Sequence, residues 1–412
     1  MAERSRDSAP DRCVDVVIAG GGIAGLATAV ALAGTGLSLA LIEAKEPAPL
    51  PEVDASEADP RAFDARVSAL TGRSAAFLDR LGAWPAIAAA RSCAYRHMTV
   101  WDAEGTGRIE FDASEVGAPS LGTIVENSRV TGALLKRAQG QAGLQILAPA
   151  VVAELERRES RTTVVLQSGE RLGCDLLVAA DGALSPTRER LGMRTREWDY
   201  GHRAIVSTVR FERSHERTAW QRFLATGPLA LLPLQGADDR LCSIVWSIEE
   251  AHADELLGLD EQGFCDALTT ASEGALGAAV DCAPRYAFPL RQRHAVDYVL
   301  PGVALVADAA HTIHPLAGQG INLGLADVEV LAEEVARAVE RGLNPGRLDV
   351  LRRYQRRRKA DNLAMMAAMD GFKRLFAEDA LPVRWLRNQG LRSVNAIAPL
   401  KRRLIRQAMG IA

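Results

Sequence analysis

The chain has 412 residues, of which 48% are apolar, and its 52 acidic residues slightly outnumber its 49 lysines and arginines. This length predicts two or three domains with a sizeable core. The formal net charge of −3 argues against a general nucleic-acid binder, so no nucleic-acid partner is expected. No apolar run reaches the ~18 residues that a transmembrane helix needs, and residues 1–12 are polar, which predicts a disordered tail rather than a secretory signal.

The first predicted element is an apolar strand over residues 13–19, followed by a glycine-rich turn and a helix of small residues. The turn has the spacing G-x-G-x-x-G. In that pattern Gly20 makes the turn, Gly22 lets a pyrophosphate approach, and Gly25 packs the helix on the strand. Strand, glycines and helix in this order predict a site for an adenine dinucleotide.

A second predicted strand, residues 38–42, ends in Glu43. A carboxylate at this place suits a ribose 2′-hydroxyl and disfavours a 2′-phosphate. The predicted dinucleotide is therefore FAD or NAD before NADP.

Two arginines follow that we consider as cofactor contacts, Arg66 and Arg129. A guanidinium binds phosphate through two parallel hydrogen bonds, so either residue is a candidate contact to the phosphate or ribityl part of a dinucleotide. The alternative is two solvated arginines. Around them, residues 71–81 and 130–138 are predicted as helices and residues 151–172 as a hairpin.

A third apolar strand leads into Asp181 and Gly182, with Ser185 and Arg188 close behind. Taken alone, this stretch is equally well explained as an ordinary strand and turn. Its place after the dinucleotide motif makes Asp181 a further candidate for the cofactor site.

The pattern changes from residue 200, where alternating stretches predict an antiparallel sheet in a second domain. Residues 249–279 are predicted to be helical, and residues 284–300 are predicted to return to the first domain. The second domain would then be an insertion. An apolar pocket between this sheet and the cofactor is expected, with Leu231, Leu232, Pro233 and the His314–Pro315 turn in its wall.

The most informative stretch is residues 303–324, an apolar strand, a turn and the start of a helix. Asp308 at the strand end can face a ligand. Backbone N–H groups near the helix start attract the negative charge that a flavin develops on reduction, by roughly 0.3–1 kcal/mol. The alternative is a plain corner whose glycines relieve crowding. No metal site is predicted, because His311 and His314 belong to this turn. The candidate cofactor residues here are Asp308, Pro315, Gly318, Gly320, Ile321 and Asn322.

The last segment is basic: no acidic residue follows Asp379, and apolar residues alternate with arginines and lysines. Such a segment predicts either contact with an anionic membrane surface or a docked helix with a solvated basic face. The six cysteines show no C-x-x-C spacing and are expected to be reduced thiols in a cytoplasmic protein.

The three motif stretches, in this order, resemble the flavoprotein aromatic hydroxylases of the para-hydroxybenzoate hydroxylase type. The chain is more closely similar to the ubiquinone-biosynthesis branch of that family over roughly residues 13–410. The stretches that carry this resemblance are 64–70, 124–129, 221–234, 243–247, 307–324 and 354–376. Two positions depart from the pattern: Ala307 stands where the family usually has Gly, and His202 stands where Gln is expected.

The resemblance implies FAD as cofactor, NAD(P)H as electron donor and O2 as co-substrate, with oxygen transfer from a flavin C4a-hydroperoxide to an activated phenol ring. It places Asp181 by the pyrophosphate and the nicotinamide route, and Asp308 by the ribityl chain. The implied substrate is a polyprenylated phenol, and other ubiquinone-biosynthesis proteins are implied as partners. For the phenolic proton, Tyr200 and His202 are weak candidates, with Pro315 beside the flavin.

The expected fold is α/β, with a Rossmann-like FAD-binding domain, an inserted antiparallel-sheet substrate domain and a C-terminal helical region. The expected localisation is cytoplasmic, with peripheral contact at the inner face of the membrane. Two alternatives stay open: a hydroxylase of a small soluble aromatic, and a flavin-binding scaffold subunit without turnover. The expected FAD-binding segments are 13–75, 120–198 and 290–345, the substrate-domain segments are 76–119 and 199–289, and the helical region is 346–412.

Overall fold

The computed structural model describes residues 9–50, 58–89, 91–103, 105, 107–158, 161–312, 320–377, 393, 395 and 397–410. The strands are β1 (Arg12–Ala19), β2 (Leu39–Ile42), β3 (Val67–Leu70), β4 (Ser92–Tyr95), β5 (His97–Asp102), β6 (Arg108–Asp112), β7 (Gly122–Glu126), β8 (Leu144–Leu147), β9 (Val152–Arg158), β10 (Arg161–Leu166), β11 (Arg171–Ala179), β12 (Thr195–Phe211), β13 (Thr218–Leu224), β14 (Gly227–Pro233), β15 (Leu241–Glu249), β16 (Ala279–Cys282), β17 (Tyr286–Ala295), β18 (Val299–Leu300), β19 (Val303–Leu305) and β20 (His311–Thr312). The α-helices are α1 (Ile23–Ala33), α2 (Gly72–Arg80), α3 (Trp84–Ala89), α4 (Asn127–Gln139), α5 (Pro186–Arg190), α6 (Glu250–Gly258), α7 (Glu261–Ala271), α8 (Gly320–Glu340), α9 (Leu348–Ala377) and α10 (Ala398–Ala408).

The first sheet has a parallel core in the order β19, β11, β1, β2, β8. β9 and β10 form the predicted antiparallel hairpin and join this sheet through β11. Parallel strands need both faces covered, which explains why β1, β2 and β11 are almost continuously apolar. The predicted Rossmann-like fold is confirmed.

Helices α1, α4, α8 and α9 pack with one face of this sheet around a large core. Helix α1 consists largely of Ala, Leu and Val, and these small side chains let it lie close to the strands. The buried aromatic Tyr354 on α9 donates from its hydroxyl to the Leu305 carbonyl at 2.7 Å. This bond anchors the C-terminal region on the cofactor side of the molecule.

The second sheet has nine strands and is antiparallel except where β13 runs parallel to β5. Helices α6 and α7 cover one face, packing Phe264 and Leu268 against Ile205 and Trp246. Its other face packs on the small three-stranded sheet β3, β7, β4. This small sheet therefore joins the two larger ones.

Several expected boundaries fall inside packed elements. Residue 290 lies within β17, which pairs with β12 and therefore belongs to the second sheet up to Ala295. Residues 76–89, expected in the substrate domain, pack Phe77, Leu78 and Ile87 into the first core. The helical stretch expected to reach residue 279 ends at Ala271, because a loop and β16 follow. We propose domain limits that follow this packing.

In the C-terminal region, α10 docks through Ile405 and Met409 on a cluster that includes Ala113 and Leu121. Among the helices that the structure describes, none has the length and hydropathy to cross a bilayer. All six cysteines lie in the described part of the chain and are free thiols, five of them buried. The expected reduced state is consistent with this arrangement.

Candidate flavin site

Four strand ends meet in register at one edge of the parallel sheet. Ala19 is paired with Ile42 on one side and Ala179 on the other, and Ala179 is paired with Leu305. The residues that follow these ends are the glycine loop, Glu43, the Asp181 turn and the Asp308 turn. In open α/β sheets, ligands bind at this carboxyl edge. The structure thus brings together three motifs that are far apart in the sequence.

The glycine loop has room for a side chain at one of its three motif glycines and none at the other two. A methyl group on Gly20, whose φ is +106°, would lie 2.4 Å from the Ala180 carbonyl oxygen, and one on Gly25 would lie 1.8 Å from the Gly20 oxygen. A methyl group on Gly22 would meet nothing within 4 Å. Gly22 therefore borders free space at the N-terminus of α1, which is where a pyrophosphate fits.

Glu43 adjoins this loop. Its Oε2 accepts a hydrogen bond from the Gly21 N–H at 2.6 Å, and its Oε1 accepts one from the Lys45 N–H at 3.0 Å. The half-buried carboxylate is thus fixed beside the glycines, the place predicted for a ribose contact. The residues present fit the adenosine half of a dinucleotide.

The carboxylate of Asp181 is used within its own turn. It accepts hydrogen bonds from the Ser185 hydroxyl at 2.5 Å and from the Thr187 N–H at 2.9 Å. The short helix that follows supplies Arg188, whose buried guanidinium donates to the Ala309 carbonyl at 2.8 Å and to the Ala183 carbonyl at 2.9 Å. Arg188, which had no predicted role, therefore joins the Asp181 turn to the Asp308 turn.

Asp308 is exposed to solvent although the protein surrounds it closely, a combination typical of a concave surface. Desolvation by these surroundings raises the pKa of Asp308 above its ordinary value, and the nearby charges of His311 and Arg66 partly oppose this. The Arg66 guanidinium lies over the ring of Phe288, 5.7 Å from its centroid. Arg66 and Asp308 are therefore close enough to act on one ligand.

The raised Asp308 pKa predicts a change in stability. The folded chain holds a proton here more tightly than the unfolded chain, so stability falls as pH rises from the unfolded pKa through the folded pKa. We expect Asp308→Asn to raise the melting temperature of the FAD-free protein at pH 7, and the gain to shrink as pH falls towards 3.8. Asp349→Asn is the control, because hydrogen bonding to Arg347 lowers that pKa, so no gain is expected. A wild-type melting temperature for Asp308→Asn at pH 7 would contradict this prediction.

Arg129 is only 3% exposed, and its Nε lies 3.4 Å from Glu126 Oε2. Glu126 is also bonded to the buried Arg91 at 3.2 Å and to the Asp64 N–H at 2.9 Å. The phosphate contact predicted for Arg129 would have to compete with this buried network. Arg66 is better placed, since it is exposed beside Asp308.

Helix α8 begins at Gly320, so Gly320, Ile321 and Asn322 form its first turn as predicted. The Asn322 side chain donates to the Ala69 carbonyl at 2.8 Å and accepts from the Thr71 N–H at 3.0 Å. Its side chain therefore joins α8 to β3, and only its backbone is a candidate for the cofactor. Pro315 and Gly318 lie outside the described residues.

The wall facing the cofactor domain differs from the prediction at Leu231 and at Pro233, which pairs with Cys242 of the core under α6 and α7. Leu231 packs under α6 and α7, so its predicted place in the pocket is wrong. Neighbouring residues of a strand point to opposite faces, so Leu231 and Leu232 cannot both face the pocket. Leu232 points to the opposite face, where it is buried against the small sheet β3, β7, β4, so its place in the pocket wall stays a prediction. Strand pairing puts Phe288 beside Ala204 on the same side, and Phe288 is 41% exposed there. The sequence did not indicate Phe288, whose strand was expected to be a connection.

Tyr200 and His202 lie within the irregular stretch between Asp199 and Arg203, where the pairing of β12 with β17 is interrupted. The Tyr200 hydroxyl donates to the Gln292 side chain, and His202 Nδ1 lies 2.6 Å from the Tyr200 carbonyl oxygen, to which it donates. Both side chains have local partners within the sheet. Their predicted roles in proton transfer remain predictions.

These features define a dinucleotide-binding protein of two sheets. They are a parallel sheet with an open glycine loop, a carboxylate after β2, and a second sheet over the same edge. Comparison of the sequence with known families gives a match to the FAD binding domain over residues 13–368. The chain belongs to this family of FAD-binding proteins.

The curated relatives match almost end to end. The chain is 36% identical over 397 residues to 3-demethoxyubiquinol 3-hydroxylase of Escherichia coli (strain K12), covering 96% of this chain and 98% of that one. It is 36% identical to ubiquinone hydroxylase UbiL of Rhodospirillum rubrum, covering 97% and 90% of the two chains. To the human mitochondrial ubiquinone biosynthesis monooxygenase COQ6 it is 34% identical, covering 96% and 92%.

Solved structures share the fold at lower identity. The p-nitrophenol 4-monooxygenase PnpA from Pseudomonas putida DLL-E4 superposes with a TM-score of 0.76 at 18% identity, covering 97% of this chain and 98% of that one. PqsL of P. aeruginosa, in complex with 2-aminobenzoylacetate, superposes with a TM-score of 0.75 at 21% identity, covering 92% and 100%. The predicted fold class is confirmed.

Proposed function

We propose that this protein is an FAD-dependent monooxygenase that hydroxylates the aromatic ring of a polyprenylated phenol in ubiquinone biosynthesis, with NAD(P)H as electron donor and O2 as co-substrate. The observation that carries the proposal is the near full-length similarity to hydroxylases and monooxygenases of that pathway. Within the described residues, no cluster of three or more His, Cys, Asp or Glu side chains could hold a metal ion.

Bound FAD supplies the oxygen activation and accepts the hydride, and the chain supplies position. Gly22 and the N-terminus of α1 would hold the pyrophosphate, and Glu43 a ribose hydroxyl. Asp308 and the backbone of Gly320 would hold the ribityl chain and the flavin edge. These assignments are supported by the common sheet edge on which the residues lie.

The substrate would lie between the flavin and the second sheet. The wall there presents Ala204, Val206, Tyr286 and Phe288, which are apolar or aromatic. An apolar wall excludes water, which would otherwise discharge the activated oxygen as hydrogen peroxide. The same wall suits a prenylated phenol, because the prenyl groups are apolar.

The polyprenyl tail raises a problem of release. Burying a five-carbon unit contributes up to ~4 kcal/mol at ~0.8 kcal/mol per CH2. A long tail enclosed completely by protein would leave very slowly. We propose that most of the tail stays in lipid or in a partner protein of the same pathway, with the enzyme at the cytoplasmic face of the membrane.

Helix α10 is a suitable contact for such a surface. Its docked side holds Ile405, and Lys401 forms an ion pair with Glu115 at 2.6 Å. Away from this side the helix exposes apolar and basic side chains together, which is the composition of an interfacial helix. The exposed residues are Ile397, Leu400, Arg402, Arg403, Leu404 and Arg406.

We expect the double variant Arg402→Glu/Arg403→Glu to lose binding to liposomes of anionic lipid, by roughly 30-fold or more, because each of the two basic residues near such a surface contributes ~1 kcal/mol. The control is Arg352→Glu/Arg356→Glu, which reverses two exposed arginines on α9 and changes the net charge equally. Co-sedimentation at two salt concentrations measures the effect. Equal loss in both variants, or no loss in either, would refute a membrane contact at α10.

The function itself is tested with purified protein, FAD, NADH or NADPH, and a set of prenylated phenols, with products identified by mass spectrometry. We expect one phenol to gain a single oxygen atom, and the same phenol to accumulate in a strain that lacks the protein. Faster turnover of small soluble phenols would contradict the proposed substrate. Stoichiometric FAD that NAD(P)H cannot reduce, with or without phenols, would indicate a scaffold subunit.

A further inference from the structure

A buried polar network lies behind the Asp308 turn, and none of the functional assignments above uses it. Its centre is Asp327 on α8, which is fully buried. Asp327 Oδ2 accepts from His311 Nε2 at 2.5 Å and from the Ala307 N–H at 3.1 Å. Asp327 Oδ1 accepts from Arg358 Nε at 2.8 Å and from Asn362 Nδ2 at 3.1 Å.

All four partners of Asp327 are hydrogen-bond donors, so the group at this position must be one that only accepts hydrogen bonds. An ionised carboxylate is the one side chain that meets this requirement. Burial alone would raise the pKa of Asp327, but the hydrogen bonds and charges of His311 and Arg358 outweigh it and lower the pKa. Because His311 Nε2 faces a carboxylate, that nitrogen carries a hydrogen.

The network fixes both ends of the turn that presents Asp308. Ala307 has a left-handed backbone with φ of +53°, which costs a residue with a Cβ roughly 1 kcal/mol. Gly324 on α8 leaves room for the methyl group of Ala307. A methyl group added to Gly324 would lie only 2.7 Å from the Ala307 Cβ. Residues 307 and 311 are held by Asp327 and residue 309 by Arg188, so Asp308 lies between three fixed points.

We propose that Asp327 is a positioning residue for the flavin, acting through the Ala307 N–H and the His311 imidazole to hold Asp308 in place. The inference rests on the proposed placement of FAD beside Asp308. It also makes α9 part of the cofactor site, because Arg358 and Asn362 supply two of the four donors.

The first test compares two buried carboxylates on the same helix. Asp327→Asn puts an amide donor against partners that are all donors, so FAD affinity should fall on the order of tenfold, as for other supporting residues, and the visible spectrum and reduction potential of bound FAD should change. Glu334→Gln is the control. Glu334 is 2% exposed and pairs with Arg337 and Arg357, but it lies two turns from Asp327. It should lose stability while its FAD affinity and flavin spectrum stay at wild-type values.

A second pair of variants keeps the test valid if Asp327→Asn does not fold. His311→Gln retains an N–H donor for Asp327, whereas His311→Phe fills the space without one. We expect weak FAD binding and an altered flavin spectrum in His311→Phe, with recovery in His311→Gln. Wild-type affinity and spectrum in either Asp327→Asn or His311→Phe would overturn the inference, as would an equal loss of affinity in Glu334→Gln. A wild-type chain that binds no FAD would instead refute the proposed function.

Discussion

Gly22→Ala should give a protein that folds normally and binds FAD at least about 100-fold more weakly, a loss of roughly 2.8 kcal/mol. The Gly22 backbone is extended, with φ of −74° and ψ of −173°, so alanine adopts it without strain. Apart from Gly22 itself and its two neighbours in the chain, no protein atom lies within 4 Å of the added methyl group. The methyl would therefore occupy space that the pyrophosphate needs.

The measurement is FAD titration of the apoprotein beside its thermal unfolding. Gly34→Ala is the matched control at the other end of α1, where a methyl also meets nothing within 4 Å. It should change neither FAD affinity nor the melting temperature by much. Wild-type FAD affinity in Gly22→Ala would show that the pyrophosphate does not pass this glycine.

Gly25→Ala should have the opposite character and fail to fold stably. Its methyl group would lie 1.8 Å from the Gly20 carbonyl oxygen. That oxygen belongs to the backbone, which cannot turn aside as a flexible side chain could. Relief requires α1 to move off the sheet, for which we expect a loss of more than about 4 kcal/mol, at the extreme of single substitutions.

Urea unfolding of Gly25→Ala beside the wild type measures this loss. Because the defect is in the packing of the chain, excess FAD should restore little of the stability. Gly22→Ala is the internal comparison, since it should unfold at the wild-type urea concentration when FAD is absent. A Gly25→Ala protein of wild-type stability would show that α1 does not pack as closely as the structure has it.

The cofactor edge was predictable because its signals are local. The glycine spacing after β1 and the carboxylate after β2 each follow from a few consecutive residues, and parallel pairing places them together. These residues left FAD and NAD open, and the family resemblance carried by the three motif stretches implied FAD. Helices such as α2 and α4 were predictable for the same reason.

The features that were missed depend on contacts between distant residues. Asp327 lies on the buried side of α8 beside Leu325 and Val328, and an acidic residue among buried apolar ones is a signal that could have indicated its network. Arg188 owes its role to a carbonyl more than a hundred residues away.

Strand β17 was misplaced for a different reason. Its first half exposes Tyr286 and Phe288 and its second half carries two arginines, so apolar and polar residues do not alternate regularly and the sequence resembles a connection. The error at Leu231 is one of phase, because a run of five buried residues in β14 does not reveal which face each side chain takes.

The central claim is that separated segments of this chain form one site for one FAD. It is tested most directly by reconstituting the purified apoprotein with FAD, removing free flavin, and measuring the visible absorption and the flavin content per chain. We expect a yellow protein with about one FAD per chain, and a Gly22→Ala variant that is colourless after the same treatment. A wild-type protein that stays colourless, or a Gly22→Ala variant that keeps a full complement of FAD, would contradict the claim.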